Sequence, residues 1–206
     1  MSYIKNKLSS DSVLERILFT TIIFIILFYS ITIISYFFLP EGLMKNKNPL
    51  QSWETSSNTF RLTLQIFFYN MLSVLMIAFG SLFGQKKEGE RNYISIGYLG
   101  FFSIICMNAV VLGTWSFSMA GAAVPLLERI VQSFNLVHRA GLWEMFGQLL
   151  ITCAVARIAT ILSCGKVTIT RKLRDIRLSR AEKIVLAFGF ALMLAGAVIE
   201  SLAINT

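Results

Sequence analysis

Six polar side chains interrupt stretches of sequence that are otherwise apolar: Asn70, Asn108, Glu144, Gln148, Arg157 and Glu200. Inside a bilayer an ionised group costs about 2.5–3.5 kcal/mol on insertion scales, so each charge among them asks for a partner. Asn70 lies 14 residues from Gly84, Asn108 15 from Tyr93 and Gln148 16 from Cys164, the ends that the charge pattern assigns to the cytoplasm. At about 1.5 Å per residue, all three are expected roughly 21–24 Å from the inner surface. Glu144 stands one helical turn from Gln148 on the same face. Glu200, four residues from the end of its stretch, is expected at a similar height. Such a polar layer holds helices together at about 1 kcal/mol or less per residue, or it lines a path for a polar solute. Packing accounts for any one of these residues; five converging at one height exceed what packing requires. Arg157 is read as a buried charge, 7 residues from the inner end of its stretch, with no acidic residue expected at its depth. It is expected to snorkel along its own stem or to bond carbonyls of a neighbouring helix.

The elements that must position these groups follow from hydropathy. The chain has 206 residues, of which 55% are hydrophobic and only 15% charged, against about 25% charged in a soluble domain. Mean hydropathy is +0.68. Disorder, a disulfide scaffold and an ordinary soluble enzyme are excluded, and a single all-helical membrane bundle is expected. A crossing helix needs about 20 mostly apolar residues. Stretches 17–38, 62–83, 93–118, 140–164 and 184–204 qualify, which predicts five crossings. The first is too long for a signal-peptide core and reads as an uncleaved anchor. Residues 121–139 predict a short amphipathic helix, with Leu126, Leu127, Ile130, Val131, Phe134 and Val137 opposite Glu128, Arg129 and Gln132. It either lies at the interface or dips into the membrane and returns. Small residues predict close helix contacts at Gly80 and Gly84, at Gly113 and Gly141, and along Ala187, Ala191 and Ala195.

Orientation follows from the basic residues. Five crossings put 13 of the 19 Lys and Arg residues on one side, including seven in loop 165–183. That side, with the N-terminus, is expected to be cytoplasmic, and the C-terminus outside. The net charge of +8 is thereby explained by topology rather than by nucleic acid, which is not an expected partner. Membrane lipid and other membrane proteins, or a second copy, are. The basic loop is also suited to anionic lipid or an acidic partner.

Catalytic motifs are missing from the sequence. There is no HExxH, G-x-S-x-G or Walker A pattern. One histidine, His138, makes no metal site alone, and the three cysteines, Cys106, Cys153 and Cys164, have no CxxC spacing. Membrane Ser and Thr residues such as Thr20, Thr21, Ser116 and Thr152 have no base at fixed spacing. Neither an enzyme nor a cofactor or metal is expected.

The polar positions come in a distinctive order: Asn70 with Ala78 and Gly80, then NAVVLG over residues 108–113, then AGLWE over 140–144, then Arg157. Over residues 60–165 this order resembles the family of stage II sporulation protein M. The resemblance makes Asn70, Asn108, Gly113, Gly141, Glu144 and Arg157 the characteristic positions and agrees with the helix count and chain length. In one respect the chain departs from the family, because its histidine before Gly-x-x-Glu is Ala140 here, with His138 nearby. The resemblance implies a subunit of a membrane complex in envelope remodelling, or an accessory of peptide export or bacteriocin immunity. In the alternative, transport reading, the polar layer lines a path and the basic loop meets a cytoplasmic ATPase.

Overall fold

A computed structural model gives the fold, and it describes residues 2–45, 47, 56–89, 92–117, 122–137, 139–172, 174 and 176–205. The architecture is mostly helical. In chain order the helices are α1 (Ser2–Leu8), α2 (Val13–Phe38), α3 (Thr59–Ser81), α4 (Gly97–Gly113), α5 (Leu126–Ser133), α6 (Gly141–Val155) and α7 (Arg180–Asn205). The strands are β1 (Phe83–Lys86), β2 (Tyr93–Ser95), β3 (Ile161–Cys164) and β4 (Val167–Thr170).

The helix boundaries follow local chemistry. Ser12 caps α2 by accepting from the Glu15 amide, and Asn58 caps α3 by accepting from the Arg61 amide at 3.1 Å. Ser179 and Glu182 form a reciprocal capping box at the start of α7: the Glu182 amide donates to Ser179 Oγ at 3.2 Å, and the Ser179 amide donates to Glu182 Oε2 at 2.8 Å. α2, α3 and α7 are 26, 23 and 26 residues long and apolar enough to cross a bilayer. Their outward faces carry large apolar side chains such as Ile26, Leu75 and Phe188, each about 60% exposed. That is the surface of a membrane protein rather than of a soluble one.

Two expected crossings come out shorter. The stretch read as 93–118 yields the 17-residue α4, and the stretch read as 140–164 yields the 15-residue α6. Both lose residues to strands, because Tyr93–Ser95 and Ile161–Cys164 belong to a four-stranded sheet of order β2-β1-β3-β4. The expectation of helices alone therefore omits this sheet. Its centre is the parallel pair β1–β3, with Gly84 opposite Leu162, and its flanks are antiparallel. Gly165, at φ 59°, opens the two-residue turn from β3 to β4, a backbone conformation suited to glycine. Part of loop 165–183 is thus a hairpin strand.

The long helices alternate in direction, with the sheet at one end. Leu8 at that end accepts from the Tyr98 hydroxyl near the start of α4, and Arg16 near the start of α2 reaches both Cys153 in α6 and Glu182 in α7. At the far end, the α2–α3 connection meets the end of α4, where the Gly42 amide donates to the Thr114 carbonyl at 2.7 Å. α6 forms the centre: Leu149, Cys153 and Ala154 are fully buried, with α2, α3, α4 and α7 around it. A helix enclosed by protein has no need to match the thickness of lipid, which reconciles its length with a hydropathy signal 25 residues long.

Close approach between helices rests on glycine at two crossings. A Cβ on Gly147 of α6 would sit 2.8 Å from the Gly189 carbonyl of α7, and one on Gly113 of α4 would sit 2.5 Å from the Thr32 carbonyl of α2. Gly80 packs on Gly97, and Gly84 lies in β1 between Tyr93 and Leu162. Gly141 has open space around it, while Ala187 and Ala191 point outward from the bundle and Ala195 is half-buried.

Candidate functional site

The expected polar layer is assembled in part. Asn70 of α3 donates through Nδ2 to Glu144 Oε1 of α6. Glu200 of α7 is close enough to interact electrostatically with Glu144. Gly196 leaves room for this approach, since a Cβ there would come within 2.9 Å of Glu144 Cγ. Glu144 is also the fourth residue of α6, where free amides and the helix dipole favour a carboxylate. Further along the same seam, the Thr63 and Ser201 hydroxyls lie 2.6 Å apart, and Asn205 Nδ2 donates to Thr59 Oγ1 at 3.1 Å. Three helices thus share one polar seam, with two carboxylates and an amide at its heart.

Gln148 and Asn108 stand apart from that pair. Gln148 is buried one turn beyond Glu144, and its Oε1 has no hydrogen-bond partner. Asn108 is exposed on α4, beside the equally exposed Met107, and has no hydrogen-bond partner among the described residues.

Arg157 is not the buried charge that the sequence suggested. It lies two residues beyond the end of α6, is 36% exposed, and pairs with Asp11 in the α1–α2 turn. A longer fourth helix would have carried it into the membrane; the strand that replaces the helix end leaves it at the sheet.

Among the described residues, the fully buried cations are instead Arg16 and Arg129. Arg16 donates to Cys153 O at 3.0 Å, to Ser10 O at 2.6 Å and to Glu182 Oε1 at 2.5 Å, so its guanidinium joins α2, α6 and α7. Arg129 of α5 donates to Val124 O at 2.6 Å, to Gly113 O at 2.5 Å and to Glu41 Oε1 at 2.7 Å. Its guanidinium lies 4.7 Å from the Tyr36 ring and 5.3 Å from that of Trp115. Trp115 sits at φ 52°, a costly conformation for a bulky residue, and the turn it makes brings the indole over the arginine. By sequence, Arg16 belongs to the basic N-terminal segment on the expected cytoplasmic side, and Arg129 falls on the polar face of its amphipathic helix. Their partners are 166 and 88 residues away, so no local pattern reveals them.

Chemically, the carboxylate seam can accept hydrogen bonds or hold a cation or ammonium group. No cluster of three metal-ligating side chains occurs among the described residues. His138, offered as a substitute for the histidine at Ala140, lies outside the described residues, as does Asp175 in the basic loop. Comparison with protein-family models, curated proteins and solved structures finds no match for this chain.

Proposed function

We propose that the protein is an integral membrane subunit of a larger membrane complex, crossing the bilayer five times with the sheet end in the cytoplasm. The observation that carries this reading is Asn108. An amide on the outer surface of a membrane helix has no water to bond, and helices that meet in lipid commonly use such a group as glue. The exposed Ala187 and Ala191 on α7 offer a second outward surface that another helix can approach closely. α5 supports the membrane setting. Its arginine faces the protein while Leu127 and Val131 are 74% and 61% exposed, the arrangement of a helix lying at the interface with its apolar side toward lipid. The setting implied by the resemblance, envelope remodelling or a peptide export or immunity system, belongs to this proposal.

The test is purification from membranes in mild detergent. The wild type should bring a partner or a second copy with it, and Asn108→Leu should accumulate normally and lose it. A wild type that elutes alone, or an Asn108→Leu variant that keeps its partner, contradicts the reading.

A second reading rests on the Asn70–Glu144–Glu200 cluster: a transport subunit in which these groups meet a polar or cationic solute. It predicts that Glu144→Gln preserves assembly and abolishes export or immunity.

A further inference from the structure

Where the N-terminal segment meets the sheet, there is a cavity of about 320 Å³. Lys86 of β1, Arg157 beyond α6, Arg171 beyond β4, Tyr93 and Asn92 at β2, and Ser9 in the α1–α2 turn line it. Ligand pockets start at about 300 Å³, so this one suits a small head group.

Charge around the cavity is out of balance. Among the described residues, Arg157 is the one of these three cations with an acidic partner, the 60% exposed Asp11. The Lys86 ammonium has no hydrogen-bond or ion-pair partner among the described residues, although the residue is half-buried. Arg171 spends one amino group, at 3.4 Å from the Tyr93 hydroxyl and 3.3 Å from the Ala159 carbonyl, which orients the guanidinium and leaves its other N–H groups available. The Tyr93 oxygen accepts from the Ala159 amide at 3.1 Å as well as from Arg171, so its own O–H remains to be donated. Burial raises the phenol further above its ordinary range, which keeps it a donor at neutral pH.

Two arginine forks, an ammonium, a phenol, an amide and a hydroxyl surround one concavity whose apolar lining is Leu162 and Ile169, and among the described residues the three cations exceed their one acidic partner by two charges. Planar guanidinium groups match the paired oxygens of a phosphate better than they match a spherical halide ion. We propose that this cavity binds a phosphate group, held by Arg157, Arg171 and Lys86, with Asp11 occupying part of the same charge until the ligand arrives. The phosphate comes from an anionic phospholipid head group or from a soluble phosphate. The cavity lies just beyond the ends of α6 and α3, which in a membrane-crossing bundle is the head-group level. The lipid source rests on that membrane reading, and the soluble source does not.

The experiment has two arms on the full chain in delipidated detergent solution. In one, inorganic phosphate is titrated against thermal stability. In the other, the protein is passed through nanodiscs of phosphatidylcholine doped with phosphatidylglycerol, and retained phosphatidylglycerol is counted by native mass spectrometry. Saturable phosphate stabilisation identifies a soluble ligand; retained phosphatidylglycerol without it identifies the lipid. In whichever arm responds, Lys86→Gln and Arg171→Gln should each weaken binding about tenfold, as loss of a charge-assisted hydrogen bond requires. Lys166→Gln and Lys183→Gln, which remove the same charge from exposed positions, should leave it unchanged. If Arg171→Gln fails to fold, Lys86→Gln decides alone. No response in either arm, or equal weakening by the exposed-lysine variants, overturns the proposal.

Discussion

Arg16 and Glu182, 166 residues apart in sequence, form an ion pair of 2.5 Å in which the arginine is fully buried and the glutamate nearly so. Glu182 uses its other oxygen to accept from the Ser179 amide, so a single carboxylate both starts α7 and fastens it to α2. Through Cys153 O the same guanidinium holds the end of α6. Three helices thus converge on one buried cation.

That geometry makes Arg16→Met strongly destabilising. Removing one member of a buried pair strands the other, at a cost of about 3–5 kcal/mol. Thermal unfolding in detergent, read by loss of the monodisperse species, should show the drop. The double variant Arg16→Met/Glu182→Gln should recover much of it, because the glutamine still accepts from Ser179 and carries no unpaired charge. A double variant as unstable as the single one would show that the pair is not what joins the helices.

The two hydrogen-bonded partners at the heart of the carboxylate seam respond differently to substitution. Asn70→Leu removes the donor to Glu144 and should cost about 1–3 kcal/mol, the penalty of an unsatisfied buried acceptor. Glu144→Gln keeps an oxygen for Asn70 and should change stability by less. Comparing the two variants by the same unfolding assay separates a structural role for the seam from a functional one: equal losses would make it glue alone.

At the helix crossings, Gly113→Ala and Gly147→Ala force a methyl against backbone 2.5 and 2.8 Å away. Overpacking of that kind costs about 1–3 kcal/mol. Gly141→Ala, with nothing within 4 Å of the new methyl, should be neutral or slightly stabilising. Parallel melting curves check the contrast, and a destabilised Gly141→Ala would show that α6 enters the bundle differently.

Hydropathy reveals α2, α3 and α7 because lipid-facing helices must be both long and apolar, and their observed ends fall within about four residues of the expected ones. It overruns at α4 and α6. Ile161–Cys164 and Tyr93–Ser95 are apolar enough to extend a helix on paper, yet they pair as strands, and the central β1–β3 partners are 78 residues apart. Pairing at that distance leaves no periodic trace. Arg157 was misplaced for the same reason, since its depth was counted along a helix that ends two residues earlier. Asn70, Glu144 and Glu200 were legible as a group because polar residues in apolar stretches are costly wherever they fall. Gln148 shares the Glu144 face but lies buried one turn further along α6, and Asn108 turns to the outside of α4, a matter of rotation that depth counting does not address.

The central claim is a five-crossing bundle whose sheet faces the cytoplasm, and accessibility of single cysteines tests it most directly. In a variant freed of Cys106, Cys153 and Cys164, one cysteine is placed at Lys166 in the β3–β4 turn, at Glu128 on α5 or at Asn205 near the end of α7, all exposed. A membrane-impermeant maleimide should label Glu128→Cys and Asn205→Cys in intact cells and Lys166→Cys only after permeabilisation. Labelling of Lys166→Cys and Asn205→Cys from the same side would contradict it.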